Sequence, residues 1–205
     1  PIIATGATTG VGKSRLLEEV RARYVEKGYG VVCVSYTSMS NLDMQEGEAD
    51  SNDLAKVESH FLSRLLCMLL STEELNKCKN SIHTRFQNVT RDHVVAIMIQ
   101  KFAGKNLLLM MDEVGVLGRS AHRSHSTDDP MHKVISLLGE LAQHITLQLT
   151  PDNVCIAMFT ALSEGVITAT KAPYFGRAII TIPLPLLSKD DVAAVVLQQK
   201  PHVAE

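Results

Sequence analysis

The chain lacks any run approaching the roughly 18 consecutive apolar residues that a bilayer span requires. It also lacks a charged-then-apolar leader at its start. A membrane protein and a secreted protein are therefore not expected, and the location that follows is intracellular, cytoplasmic or nuclear. An excess of one charge is missing too: 20 Lys and Arg against 22 Asp and Glu leave a formal charge of −2. Nothing in the bulk charge pulls the chain toward nucleic acid or a lipid surface, so nucleic-acid binding would have to come from a local patch. Cysteine is sparse and scattered, since Cys33, Cys67, Cys78 and Cys155 form no C-x-x-C pair and have no histidines at zinc-finger spacing. They read as reduced, buried small hydrophobes. No internal repeat is present. What remains is 205 residues with 45% hydrophobic composition, enough for one sizeable core or one core and the start of another.

The most informative segment is Ala7-Thr8-Thr9-Gly10-Val11-Gly12-Lys13-Ser14. Before it, Pro1-Ile2-Ile3-Ala4-Thr5 reads as the end of a buried strand; after it, Leu16, Leu17, Val20 and Tyr24 repeat at helical spacing. Strand, glycine loop and helix thus follow in order. Gly6, Gly10 and Gly12 lack a Cβ, so the backbone between them can curl and turn successive N–H groups onto phosphate oxygens. The positive end of the following helix adds to this. Lys13 can reach the β- and γ-phosphates, and the Ser14 hydroxyl is placed to ligate Mg²⁺. The nucleotide-binding segment is taken as Gly6, Ala7, Thr8, Thr9, Gly10, Val11, Gly12, Lys13, Ser14 and Arg15. The strict pattern G-x-x-x-x-G-K-[ST] would have glycine where this chain has Ala7, a small residue with Gly6 beside it. A glycine-rich strand-to-helix turn carrying an exposed lysine would share these letters without the chemistry.

Five apolar runs read as strands: residues 1–5, 31–36, 107–112, 154–160 and 178–182. Between them lie helical patterns, with Val57, Phe61, Leu65 and Leu69 on one face, Val134, Leu138, Leu141 and Ile145 on another, and Val94, Val95, Ile97, Met98 and Phe102 in a shorter stripe. Strands alternating with helices predict an α/β fold with a parallel sheet covered on both faces. Leu107-Leu108-Leu109-Met110-Met111 supports this, because a strand buried on both sides need not alternate. Residues 37–52 are polar and acidic and read as a solvated loop. Residues 71–90 are mixed and hold at most one short helix. Residues 115–130 carry Arg119, His122, Arg123 and His125 before Asp128 and Asp129, a locally basic surface without a third metal ligand.

Asp112-Glu113 ends the most hydrophobic strand, which presents two carboxylates at the carboxyl edge of a parallel sheet, where α/β proteins bind ligands. The aspartate suits Mg²⁺, held mostly through its water shell. The adjacent glutamate suits polarisation of a water for in-line attack on a γ-phosphate.

With both motifs in place the chain resembles an ATPase of the P-loop superfamily, in the additional-strand branch that includes AAA+ and signal-transducing STAND proteins. One complete strand, residues 31–36, separates the loop strand from the Asp112-Glu113 strand. The resemblance, which covers nearly the whole chain, implies a five-stranded sheet of order 5-1-4-3-2, with ATP and Mg²⁺ as ligands. It also implies a polar sensor at the end of the fourth strand, matched by Thr160 in Met158-Phe159-Thr160-Ala161, with Ser163 as the alternative. Pro173-Tyr174-Phe175-Gly176-Arg177 is similar to the region of an arginine finger, which makes Arg177 the candidate for charge stabilisation, often across a subunit boundary. Ile182-Pro183-Leu184-Pro185-Leu186-Leu187-Ser188 resembles the crossing into a helical lid, Ser188 capping the helix that carries Val192, Val195 and Val196. The domains expected are residues 1–187 for nucleotide binding and residues 188–205 for the start of the lid. Opening on a strand and closing soon after a helix begins, the chain reads as part of a longer protein, and its partners would be further domains or further copies of itself.

Three alternatives stand beside ATP hydrolysis. Asp112-Glu113-Val114-Gly115 also spells the D-x-x-G of GTPases, but no N-K-x-D element follows; Asn76-Lys77-Cys78-Lys79 lacks the aspartate. A P-loop kinase would share the cradle, yet it needs an arginine-bearing lid and has less use for Glu113. A nucleotide-dependent switch or scaffold would bind without significant hydrolysis.

Overall fold

The computed structural model of the protein describes residues 2–6, 13–36, 53–70, 86, 88–117, 130–161 and 179–182, with Ser14 described by its backbone alone. Five strands are present among them: β1 Ile2–Gly6, β2 Gly30–Ser35, β3 Leu107–Asp112, β4 Cys155–Ala161 and β5 Ile179–Thr181. All pairings are parallel, in the order β2-β3-β4-β1-β5. Taken from the opposite edge this is 5-1-4-3-2, the sheet expected for the P-loop NTPase fold. The helices are α1 Lys13–Glu26, α2 Leu54–Leu69, α3 Arg91–Lys101 and α4 Pro130–Gln148, with a 3₁₀ turn at Val114–Val116.

β3 is buried along its whole length, and its alternation feeds two separate cores. Leu107, Leu109 and Met111 face the larger one, with Val57, Phe61 and Leu65 of α2, Val94 and Met98 of α3, and Val134, Leu138 and Ile145 of α4. Leu108 and Met110 face the other with Met158 and Leu17, against which Leu16, Val20 and Tyr24 of α1 pack. Each such Leu or Met contributes about 1.5–3 kcal/mol on burial. With α1 on one face and α4 on the other, the connections leaving β1 and β3 diverge, and the carboxyl edge between them is the ligand crevice of such sheets.

Local signals place the helix ends. Gly28, at φ 82°, lets α1 stop in the left-handed conformation, where Gly28 N–H donates to Val25 O and Tyr29 N–H to Tyr24 O. Asp53 Oδ1 caps α2 by accepting from Lys56 N–H at 2.9 Å. Thr90 and His93 cap α3 reciprocally through side chain and backbone, both at 3.3 Å. The stripe on α3 is narrower than expected: Ile97 is 40% exposed, because it stands about 160° around the helix from buried Val95. β4 begins at Cys155, one residue late, since Val154 N–H is taken by Asn106 Oδ1 at 2.8 Å. Among the described residues no helix is long and apolar enough to cross a membrane. Residues 37–52, most of 71–90 with Cys78, residues 118–129, residues 162–178 with Ser163 and Arg177, and residues 183–205 lie outside the described part.

An ionic network ties α2, α3 and α4 together. Arg91 Nε donates to Glu58 Oε1 at 2.6 Å and Arg91 Nη1 to Glu140, while Lys133 Nζ lies 2.8 Å from Glu58 Oε2. Burial pushes the Glu58 carboxyl up, but hydrogen bonds from Arg91 and Lys133 outweigh it and hold the group below the ordinary carboxylate range. A carboxylate lowered on folding stabilises above its unfolded value, near 4.5, and that contribution disappears as pH falls through the folded value. Glu58→Gln is expected to lower stability at pH 7 by about 1 kcal/mol, seen as a lower urea midpoint with unchanged slope. The difference from wild type should shrink as the pH is taken below 4.5 toward the lower folded value.

Candidate nucleotide site at the carboxyl edge of the sheet

β1 ends at Gly6, buried and in register with Ala161, and α1 begins at Lys13. The intervening Ala7, Thr8, Thr9, Gly10, Val11 and Gly12 lie outside the described residues. Lys13 stands in the first turn of α1, where the backbone N–H groups point outward and the dipole is positive. It is only 4% exposed, and its Nζ lies 3.7 Å from Glu113 Oε1. An ordinary surface lysine in a glycine turn would be exposed. Burying an ammonium is costly without a counter-charge, which Glu113 supplies. Arg15, two residues on, is exposed.

The other half of the site is built across strands. Ser35 is in register with Asp112, Met111 with Phe159, and Thr5 with Thr160. Register partners on parallel strands share a face, so Ser35, Asp112, Thr160 and Thr5 form a polar row over β2, β3, β4 and β1 on the α1 side, directly beyond Met110 and Met158. All four are buried. The Thr160 hydroxyl donates to Asp112 Oδ1 at 2.5 Å and accepts from Glu113 N–H at 3.0 Å. One fully buried side chain thus fixes a carboxylate and the backbone of the next residue.

Glu113 is the non-glycine residue with positive φ among those described (φ 56°, ψ 40°). That left-handed bend turns the chain out of β3 and into the 3₁₀ turn, which is anchored by fully buried Val114 and Leu117. Such a residue stores about 1–3 kcal/mol of strain, held here by the Thr160 bond and the anchors. Glu113 Oε2 is buried and has no hydrogen-bond partner among the described residues. The negative charge of Asp112 also reaches β2: burial first, and Asp112 second, push the Cys33 thiol up to about 11, so it stays protonated at neutral pH. Burial does the same to Cys155, up to about 12. Cys67 is fully buried, while Cys33 and Cys155 are partly so.

Oxygen donors at a buried edge suit a hard cation such as Mg²⁺. Among the described residues no group of three His, Cys, Asp or Glu side chains could hold a metal alone. Mg²⁺ does not need one, since it takes one or two protein oxygens and fills the rest of its shell with phosphate and water. Asp112 fits that requirement.

Two residues that sequence reasoning passed over belong to this edge. Arg64, in the middle of apolar α2 and 2% exposed, donates through Nη1 to Ser35 O at 3.1 Å and stacks 4.9 Å from the Tyr36 ring centroid. Its signal was a charged residue inside a helix otherwise read as core. Thr5 is the second; its signal was a hydroxyl in an apolar strand.

No protein-family model matches the chain, and no curated protein does. Among solved structures, it is similar to one described as an ATPase domain, at 12% identity and a TM-score of 0.39, covering 86% of this chain and 61% of that one. The chain therefore spans about three-fifths of the length of that structure. The fold assignment rests on strand order and register, and the site on its own geometry.

Proposed function

We propose that the chain is the nucleotide-binding module of a P-loop ATPase, of the additional-strand type that includes AAA+ and STAND proteins, hydrolysing ATP with Mg²⁺ and driving a conformational change in a larger protein. The observation that carries this is the approach of Lys13 Nζ to Glu113 Oε1 at 3.7 Å, with Asp112 next in the chain. Residues far apart in sequence meet where a triphosphate would lie.

In this reading residues 6–15 hold the triphosphate, and Lys13 neutralises the β- and γ-phosphate oxygens. Asp112 and Ser14 would hold Mg²⁺, which when bound supplies charge neutralisation on the phosphates. Glu113 orients a water and takes its proton as the new O–P bond forms and the bridge between β- and γ-phosphates breaks. Thr160, the sensor candidate, acts by positioning, its hydroxyl being bonded to Asp112 Oδ1 and to Glu113 N–H. Arg177 is proposed to stabilise the transferring phosphoryl group, and residues 188–205 to open a lid.

The test is the metal dependence. Asp112→Asn is expected to raise the Mg²⁺ concentration needed for half-maximal phosphate release by about 10-fold or more, with the melting temperature little changed. ATP binding in the presence of a chelator should persist. An unchanged Mg²⁺ requirement would remove Asp112 from the site.

A further inference from the structure

Thr5 is fully buried, in register with Thr160, and its Oγ1 has no hydrogen-bond partner among the described residues. A buried hydroxyl is rarely left so, because its desolvation is not repaid. The neighbour opposite it has the capacity it lacks. Thr160 Oγ1 has one proton, given to Asp112, and two lone pairs, of which Glu113 N–H fills one. Adjacent strands are about 4.8 Å apart. At that spacing a turn of Thr5 about χ1, or one bridging water, would let its hydroxyl meet the remaining lone pair.

We propose that Thr5 is a positioning residue for the metal-holding carboxylate, acting through Thr160. This rests on the nucleotide reading above. Two donors on Thr160, the Glu113 N–H and the Thr5 O–H, occupy both lone pairs and leave its single proton no acceptor but Asp112. The polarity of the chain Thr5 to Thr160 to Asp112 is then fixed. Asp112 Oδ1 is held in place before any cation arrives. Without Thr5 the Thr160 hydroxyl regains rotation about its C–O bond, and its hold on Asp112 Oδ1 weakens. Pre-positioning of this kind at one remove from a metal is commonly worth about 10-fold or more in metal affinity.

The test uses Mn²⁺ with ATP, reading free Mn²⁺ by its electron paramagnetic resonance. Thr5→Val, which keeps the shape and removes the hydroxyl, is expected to weaken Mn²⁺ binding about 10-fold. Thr5→Ser should stay within about 2-fold of wild type, the hydroxyl being retained. Placed on Thr160→Val, Thr5→Val should add nothing, since its route to Asp112 is already cut. ATP binding with chelator present should be the same in all of them. Thr5→Ala provides a second hydroxyl deletion should the valine variant fold poorly. Wild-type Mn²⁺ affinity in folded Thr5→Val or Thr5→Ala, equal weakening in Thr5→Ser, or additive losses in the double variant would each overturn the role of Thr5. A wild-type chain that binds no Mn²⁺ with ATP overturns the nucleotide reading instead, and this proposal with it.

Discussion

Replacing Lys13 with alanine is expected to weaken ATP binding by about 100-fold, the product of one or two lost charge-assisted hydrogen bonds at roughly 1.5–3 kcal/mol each. The side chain is 4% exposed and sits against Glu113, so its charge acts where solvent screens it little. Alanine also leaves Glu113 without that counter-charge at the place where phosphate should bind. Repulsion is added to the loss of attraction. Isothermal titration with ATP and Mg²⁺ measures the effect, and Lys13→Met, which restores the volume, separates charge from packing. Affinity unchanged in both variants would show that this lysine is a buried structural residue.

Glu113→Gln should behave differently. The amide keeps the size of the side chain and the backbone N–H that reaches Thr160, so the left-handed bend has no reason to relax. What it loses is the ability to take a proton from water, worth roughly 10²- to 10⁴-fold. Phosphate release is expected to fall by that factor while ATP remains bound, and relief of negative charge near the phosphates should leave affinity equal or higher. Slow turnover that the substitution does not change would favour a nucleotide-dependent switch over a hydrolase.

The sheet was legible because its strands are strongly apolar and short; the run Leu107-Leu108-Leu109-Met110-Met111 could hardly be anything but a strand covered on both faces. The helices were legible where one face is apolar, as on α4, and less so on α3, where Ile97 has apolar chemistry but an outward position. The two halves of the candidate site were picked out by residue type, a glycine-flanked Lys13-Ser14 and an acidic strand end, each of which points to a nucleotide mainly in the company of the other. Their approach in space was expected from the resemblance, which implies the order 5-1-4-3-2, and not from any local pattern, because it depends on where β1, β4 and β3 lie in the sheet. The row Ser35, Asp112, Thr160 and Thr5 likewise follows no local pattern. Asp112 and Thr160 carried a signal of their own, but Ser35 and Thr5 are ordinary polar residues near strand ends, and only the register makes the four neighbours. The Glu113 bend was illegible for another reason: glutamate has no preference for positive φ, and the conformation is imposed by buried Val114 and Leu117 and by the Thr160 hydroxyl.

A crystal structure with Mg²⁺ and a non-hydrolysable ATP analogue tests most directly whether Lys13 and the Asp112-Glu113 edge grip one triphosphate. The account predicts a phosphate oxygen about 3 Å from Lys13 Nζ, with the metal's water shell on Asp112 and Glu113 facing the γ-phosphate. An analogue bound at another edge of the sheet, with Lys13 still against Glu113 and no phosphate beside either, would contradict it.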